Sequence, residues 1–189
     1  AHYLHLIDGG VTDNLGLRAL YDLIAAHGGA ASFWRRLERP APRRFVIVSV
    51  DAMRSSDLQI DASPEAPSIL NTVQAVTDMQ MDRYSADTLN MVSESAKSWV
   101  QLWSQPGAPV ELYFLHLHFR QVQDPRLRDA LYLIPTALTL PANQVDELIN
   151  TGEQLLRSNP EFKRLLTDLG ASPAELQAAS LPAMGGAAR

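Results

Sequence analysis

The residues best placed to do chemistry open the chain: Ile7-Asp8-Gly9-Gly10-Val11-Thr12-Asp13-Asn14. Asp8 follows a short apolar run, Tyr3 to Ile7, broken only by His5, and precedes two glycines. Such a run closed by a glycine pair reads as a strand and its turn. In an α/β sheet, ligands bind beyond the carboxyl ends of the strands. A carboxylate there can act as base for a hydroxyl nucleophile on a neighbouring strand, if the two lie within hydrogen-bond reach. The glycines permit positive φ and close backbone approach. The plainer alternative is a strand-ending turn, with Asp13 or Asn14 capping the next helix.

Two other groups raise metal questions. His116 and His118 sit two apart in Leu115-His116-Leu117-His118-Phe119. On a strand they share a face and could share a zinc ion. No third ligand is evident nearby, and a polar, solvent-facing side of an alternating strand accounts for them as well. Asp8 with Asp13 could hold calcium, but their spacing matches no recognised calcium loop. The sequence therefore assigns no metal and no cofactor.

Elements that would position these residues follow from periodicity. Leu17, Leu20, Leu23, Ile24 and His27 recur at helical spacing, and Gly28-Gly29 closes that helix. A basic connector, 35–44, leads to Phe45-Val46-Ile47-Val48-Ser49-Val50, a continuous β-branched run that predicts a buried parallel strand. Strand, helix, strand at this length predicts a βαβ unit and an α/β fold. Residues 51–68 read as a loop. A long helical stretch, 68–103, broken at most once, carries two stripes: Val73, Val76, Met79 (or Gln80) and Tyr84, then Leu89, Val92, Ala96 and Val100.

Met79, Met81, Tyr84, Met91, Trp99 and Trp103 on this stretch could form a lipid-facing lid, or ordinary core. Only Arg83 and Lys97 are basic there, which argues against the membrane version. Val110 to Val122 reads as a strand, with Leu115, Leu117 and Phe119 on one face. Asp124-Pro125 opens a short helix that Ile134-Pro135 ends. Pro141 to Leu169 is helical, with a break at Pro160, and the tail after Ser172 is expected to fray.

Composition bounds the reading. The 189 residues are 46% hydrophobic and 20% charged, enough for a sizeable core. A net charge of −5 gives no footprint for nucleic acid. There is no cysteine, which excludes disulfides, thiolate metal sites and a cysteine nucleophile. No apolar stretch approaches bilayer length. The first residues do not read as a signal peptide, and they already read as a strand, which suggests a cut chain. The compartment stays open.

The segment Leu6 to Leu17 resembles the aspartate motif of the patatin-like phospholipase family, Asp-Gly-Gly or Asp-Gly-Ala with an Asn a few residues on. Here the matching residues are Asp8, Gly9, Gly10 and Asn14. Many relatives have proline two residues after that Asn; this chain has Gly16. Ile134-Pro135-Thr136, Leu140 to Asp146, and Asn159-Pro160-Glu161-Phe162 are similar to a C-terminal segment of bacterial members.

The resemblance implies a partial three-layer α/β/α sheet of the patatin-like type. It assigns residues 1–140 to the catalytic domain and 141–189 to a helical extension with a flexible tail. It also implies a Ser–Asp dyad acting on a lipid ester, with Asp8 as general base, and leaves room for peripheral membrane contact. In that family the serine lies upstream of the aspartate, in Gly-x-Ser-x-Gly, beside a glycine-rich oxyanion loop. Neither motif occurs in this chain. Ser49 lies in an unflanked strand, and Ser55 and Ser56 in a loop. The expectation is a C-terminal fragment, inactive alone, of an acyl-ester hydrolase. The alternative is a non-catalytic α/β binding or scaffold module whose Asp-Gly-Gly is structural. The upstream sequence discriminates them.

Overall fold

The structure is a computed structural model and describes residues 3, 9–53 and 64–172. It is a mixed α/β chain with a two-stranded parallel sheet. Residues 4–7 of the expected strand, Asp8, the two loop serines and the tail beyond Ser172 lie outside the described residues.

The chain divides into two compact units. The first holds residues 1–45 and 56–112. Its described elements are α1 (Gly10–Asp13), α2 (Leu17–Ala26), α3 (Ala30–Arg36) and α4 (Ile69–Trp103). Helix α2 ends as expected: Gly28 and Gly29 take φ 84° and 77°, and their N–H groups return to the Ala25 and Ile24 carbonyls. Helix α3 was not anticipated. It covers the start of the basic connector and places Phe33 in the core.

Ser68 caps α4, its hydroxyl accepting from the Asn71 N–H at 3.1 Å. With no proline or glycine inside, α4 runs unbroken for 35 residues. Its second expected stripe is core: Val92 and Ala96 are fully buried, and Trp99, Val100 and Trp103 nearly so. Helices α2 and α3 pack on it. Phe33, Trp34, Phe45 and Trp99 surround the Trp103 ring, and its indole N–H donates to the Ala30 carbonyl at 2.6 Å. The first stripe is not core: Val73, Val76 and Met79 are all exposed.

The second unit holds residues 46–55 and 113–189. Leu117, Phe119, Val122, Leu131, Ile134 and Leu155 form its apolar centre. Helices α5 (Pro125–Leu133) and α6 (Ala142–Ser158) start and stop where the prolines predict, and α7 (Pro160–Asp168) starts at Pro160. Asp124 caps α5, and Asn159 caps α7. The fully buried Tyr113 sends its hydroxyl to the Asp168 carboxylate, while the Arg164 guanidinium lies 4.0 Å from its ring centre.

Strand β1 (Arg44–Asp51) pairs with β2 (Glu111–His118). β2 is shorter than the sequence predicts: after His118 the chain turns through one 3-10 turn, Phe119–Gln121. β1 alternates rather than being buried throughout. Ile47 and Ser49 are buried, but Val46, Val48 and Val50 are 40%, 51% and 67% exposed. The continuous apolar run therefore has one covered side and one bare side.

Candidate functional site

Around the Asp-Gly-Gly segment, the glycines do not serve the turn as the sequence reading expected. Gly9 precedes α1 with φ −62° and ψ −23°, a right-handed conformation open to any residue. A Cβ added there would meet nothing within 4 Å. Gly10 is the first residue of α1 and has no positive φ either. Neither residue shows the left-handed backbone that would make glycine obligatory.

Asp13 does have a structural task, though not as an ordinary N-cap. Gly16 occupies the cap position of α2, at φ 65°. Asp13 reaches past it, its carboxylate oxygens accepting from the N–H groups of Arg18 (3.2 Å) and Ala19 (3.0 Å). Those are two of the orphan donors every helix start presents. Asn14 ends α1 in a right-handed conformation. Proline, locked near φ −65°, could not replace Gly16 in this geometry, so the departure from the family pattern is a different helix entry. Asp13→Ala is expected to cost about 1 kcal/mol, a typical capping loss. A urea titration that left the midpoint unchanged would show that water satisfies those N–H groups equally well.

At the carboxyl ends of β1 and β2, sequence reasoning found half of a polar cluster. The rings of His116 and His118 lie 4.9 Å apart, centre to centre, on one face as their spacing requires. They are half-buried rather than solvent-facing. His116 Nδ1 is 3.3 Å from the hydroxyl of the buried Ser49. The His118 side chain accepts from the Gln121 backbone N–H, and Gln121 in turn bonds back to the His118 N–H.

Asp51 ends β1 close enough to act on both imidazoles. Ser49-x-Asp51 and His116-x-His118 are matching alternate-residue pairs on two strands. That signal was in the sequence, but it becomes a cluster only when the pairing register is known. Among the described residues, no group of three or more His, Asp or Glu is gathered as a metal site.

Burial chiefly lowers the pKa of His116; the His118 charge adds to this and Asp51 opposes it. Burial also leads for His118, opposed by Asp51 and reinforced by Arg120. The folded state thus holds both rings neutral where an unfolded histidine, near about 6.5, begins to charge. This contribution to stability is complete above about pH 7.5 and is lost as pH falls through 6.5 toward the lower folded values. Urea midpoints taken across about pH 7.5 to 5.5 should fall, and His116→Gln with His118→Gln should flatten the fall. An unchanged slope in the double variant would assign the effect elsewhere.

The second unit also carries an open cleft of about 450 Å³ beside α5 and α6, lined by Asn143, Asp146, Glu147, Asn150, Thr151 and Gln154. Comparison of the chain with protein-family models, curated proteins and solved structures found no match.

Proposed function

We propose that this chain is the acid half of a serine–aspartate lipid acyl-hydrolase, with Asp8 as the general base and the serine supplied by sequence upstream. Asp8 would take the serine proton as the hydroxyl attacks the ester carbonyl, then return it to the leaving alcohol. The observation that carries the reading is the conformation of Gly9. A right-handed backbone with open space at the Cβ position needs no glycine. The turn explanation of Asp-Gly-Gly therefore leaves its central glycine unexplained, whereas close approach of a substrate or a partner segment would require it. Asp13, the other carboxylate of the motif, is already committed to α2.

The sheet supports the missing half. Parallel sheets are covered on both faces, and two strands make a marginal sheet. The bare Val46, Val48 and Val50 are what a strand presents when the rest of a three-layer sheet is absent. The substrate class that follows from the family resemblance is a phospholipid or neutral-lipid ester. Ester hydrolysis by the protein extended upstream, with and without the Asp8 carboxylate, tests the proposal.

A further inference from the structure

The open cleft beside α5 and α6 lies wholly within the second unit. One wall is a face of α6. Asn143, Glu147, Asn150 and Gln154 recur there at helical spacing, with Asp146 at one edge and Thr151 at the other. Leu127 of α5 supplies the apolar part. Among the described residues, no basic and no aromatic side chain lines it. The two carboxylates fall in the first turns of α6, where they complement its positive end. That accounts for their charge, but not for the cleft or for Thr151.

Thr151 is 4% exposed, yet its hydroxyl has no hydrogen-bond partner among the described residues. Three other helical threonines, Thr72, Thr77 and Thr167, return theirs to the carbonyl four residues back. A buried hydroxyl left without a partner is costly. This one lines the cleft, so a group bound there would satisfy it. The acids point the same way. Helices α6 and α7 carry five of them: Asp146, Glu147, Glu153, Glu161 and Asp168. Glu153 is held by Arg157, Glu161 by Arg164, and Asp168 by the Tyr113 hydroxyl. Among the described residues Asp146 and Glu147 have no such partner, and they are the two that line the cleft.

The lining chooses the ligand. Two carboxylates without a cation beside them reject an anion. A hard metal ion needs more charged ligands than the two present, and no group of three gathers among the described residues. A quaternary ammonium needs an aromatic cage, which the wall lacks. A primary ammonium fits: it has three donors, one charge and no acceptor. Carboxylates stand at one end of the wall, and the amides of Asn150 and Gln154 follow along it. Glu147 to Gln154 is roughly 10 Å along the helix axis. A hydrogen bond of about 2.9 Å at each end leaves roughly 5 Å between two nitrogens, the span of a short methylene chain. The volume, about 450 Å³, is that of a small-molecule site. We propose that this cleft binds a short linear aliphatic diamine. One ammonium group is held by Asp146 and Glu147. The other donates to the Asn150 and Gln154 carbonyls and the Thr151 hydroxyl, and the methylenes lie along Leu127.

The test is calorimetric titration of the full 189-residue chain with 1,4-diaminobutane, at about 0.1 M salt to screen diffuse attraction. It involves neither Asp8 nor turnover, so it stands apart from the hydrolase reading. Saturable one-to-one binding is expected. Glu147→Gln should weaken it by about tenfold, the loss of one charge-assisted hydrogen bond. Glu153→Gln makes the same charge change at a paired acid outside the cleft and should leave affinity unchanged. Thr151→Val, which keeps the β-branched shape, should weaken binding without lowering the urea midpoint, because the hydroxyl has no partner in the protein to lose. Absence of saturable binding overturns the proposal and leaves water to serve Thr151. Equal losses in Glu147→Gln and Glu153→Gln overturn it too, since attraction would then be to acidic surface at large. So does displacement of the diamine by an equal concentration of magnesium, or equal binding of butane-1,4-diol. A lowered urea midpoint in Thr151→Val would show that the hydroxyl serves the fold, and would also overturn it.

Discussion

Trp103→Ala should be the most destabilising single substitution in the first unit, costing about 3–5 kcal/mol, the usual range for deleting a buried aromatic ring. The indole is 5% exposed and ringed by Phe33, Trp34, Phe45 and Trp99, with ring centroids 5.1 to 6.3 Å from its own. Its removal leaves a cavity that four rigid rings on α3, β1 and α4 cannot readily close. It also strips the Ala30 carbonyl of its indole partner at the first turn of α3. At about 2–4 °C per kcal/mol for a chain of this size, thermal unfolding should fall by roughly 10 °C. Trp103→Phe separates the two contributions. It keeps part of the ring packing and orphans only the carbonyl, a loss of about 1–3 kcal/mol. A Trp103→Ala loss under about 1 kcal/mol would mean that the cluster repacks and does not anchor α3 to α4.

The elements that were legible in the sequence are those whose signals are local. Asp124-Pro125, Ile134-Pro135 and Asn159-Pro160 mark helix limits because proline accepts only the first helical positions and restricts the residue before it. In the stripe Leu89, Val92, Ala96 and Val100 the last three are core and Leu89 is half-buried, so spacing and burial agree. Gly28-Gly29 ends α2 with the backbone that only glycine takes cheaply.

What was not legible depends on partners distant in the chain. The run Phe45 to Val50 reads the same whether one or both of its sides are covered, so the bare valines could not be foreseen. The stripe Val73, Val76, Met79 and Tyr84 has the same period as a core stripe, and only the structure shows that its residues are exposed. Helix α3 was hidden because Arg35 and Arg36 read as connector, while its core contribution rests on Phe33. Of the candidate site, the spacing placed His116 and His118 on one face. Their meeting with Ser49 and Asp51 required the β1–β2 register. The work done by Asp13 was foreseen as capping, but not its reach past Gly16 to Arg18 and Ala19.

Asp8→Asn in the protein carrying its upstream sequence should lower ester turnover by about 10²–10⁴-fold, the range a positioned general base contributes. Asparagine keeps the shape and the hydrogen-bonding reach of the side chain but cannot accept the serine proton. The loss should therefore fall on kcat, with KM little changed, because a base acting in the transition state adds little to ground-state binding. Asp13→Asn gives the contrast. Its carboxylate is engaged by α2, so that substitution should move stability and leave turnover within about threefold, a few tenths of a kcal/mol in the barrier.

The role of Asp8 is tested most directly by the kcat for hydrolysis of a short-chain ester by that extended protein and by its Asp8→Asn variant, with the fold of both checked by circular dichroism. A folded variant with turnover reduced by about a hundredfold or more is the predicted result. A folded variant that retains full turnover, or upstream sequence with no serine to serve, would contradict it and leave Asp-Gly-Gly as part of a scaffold.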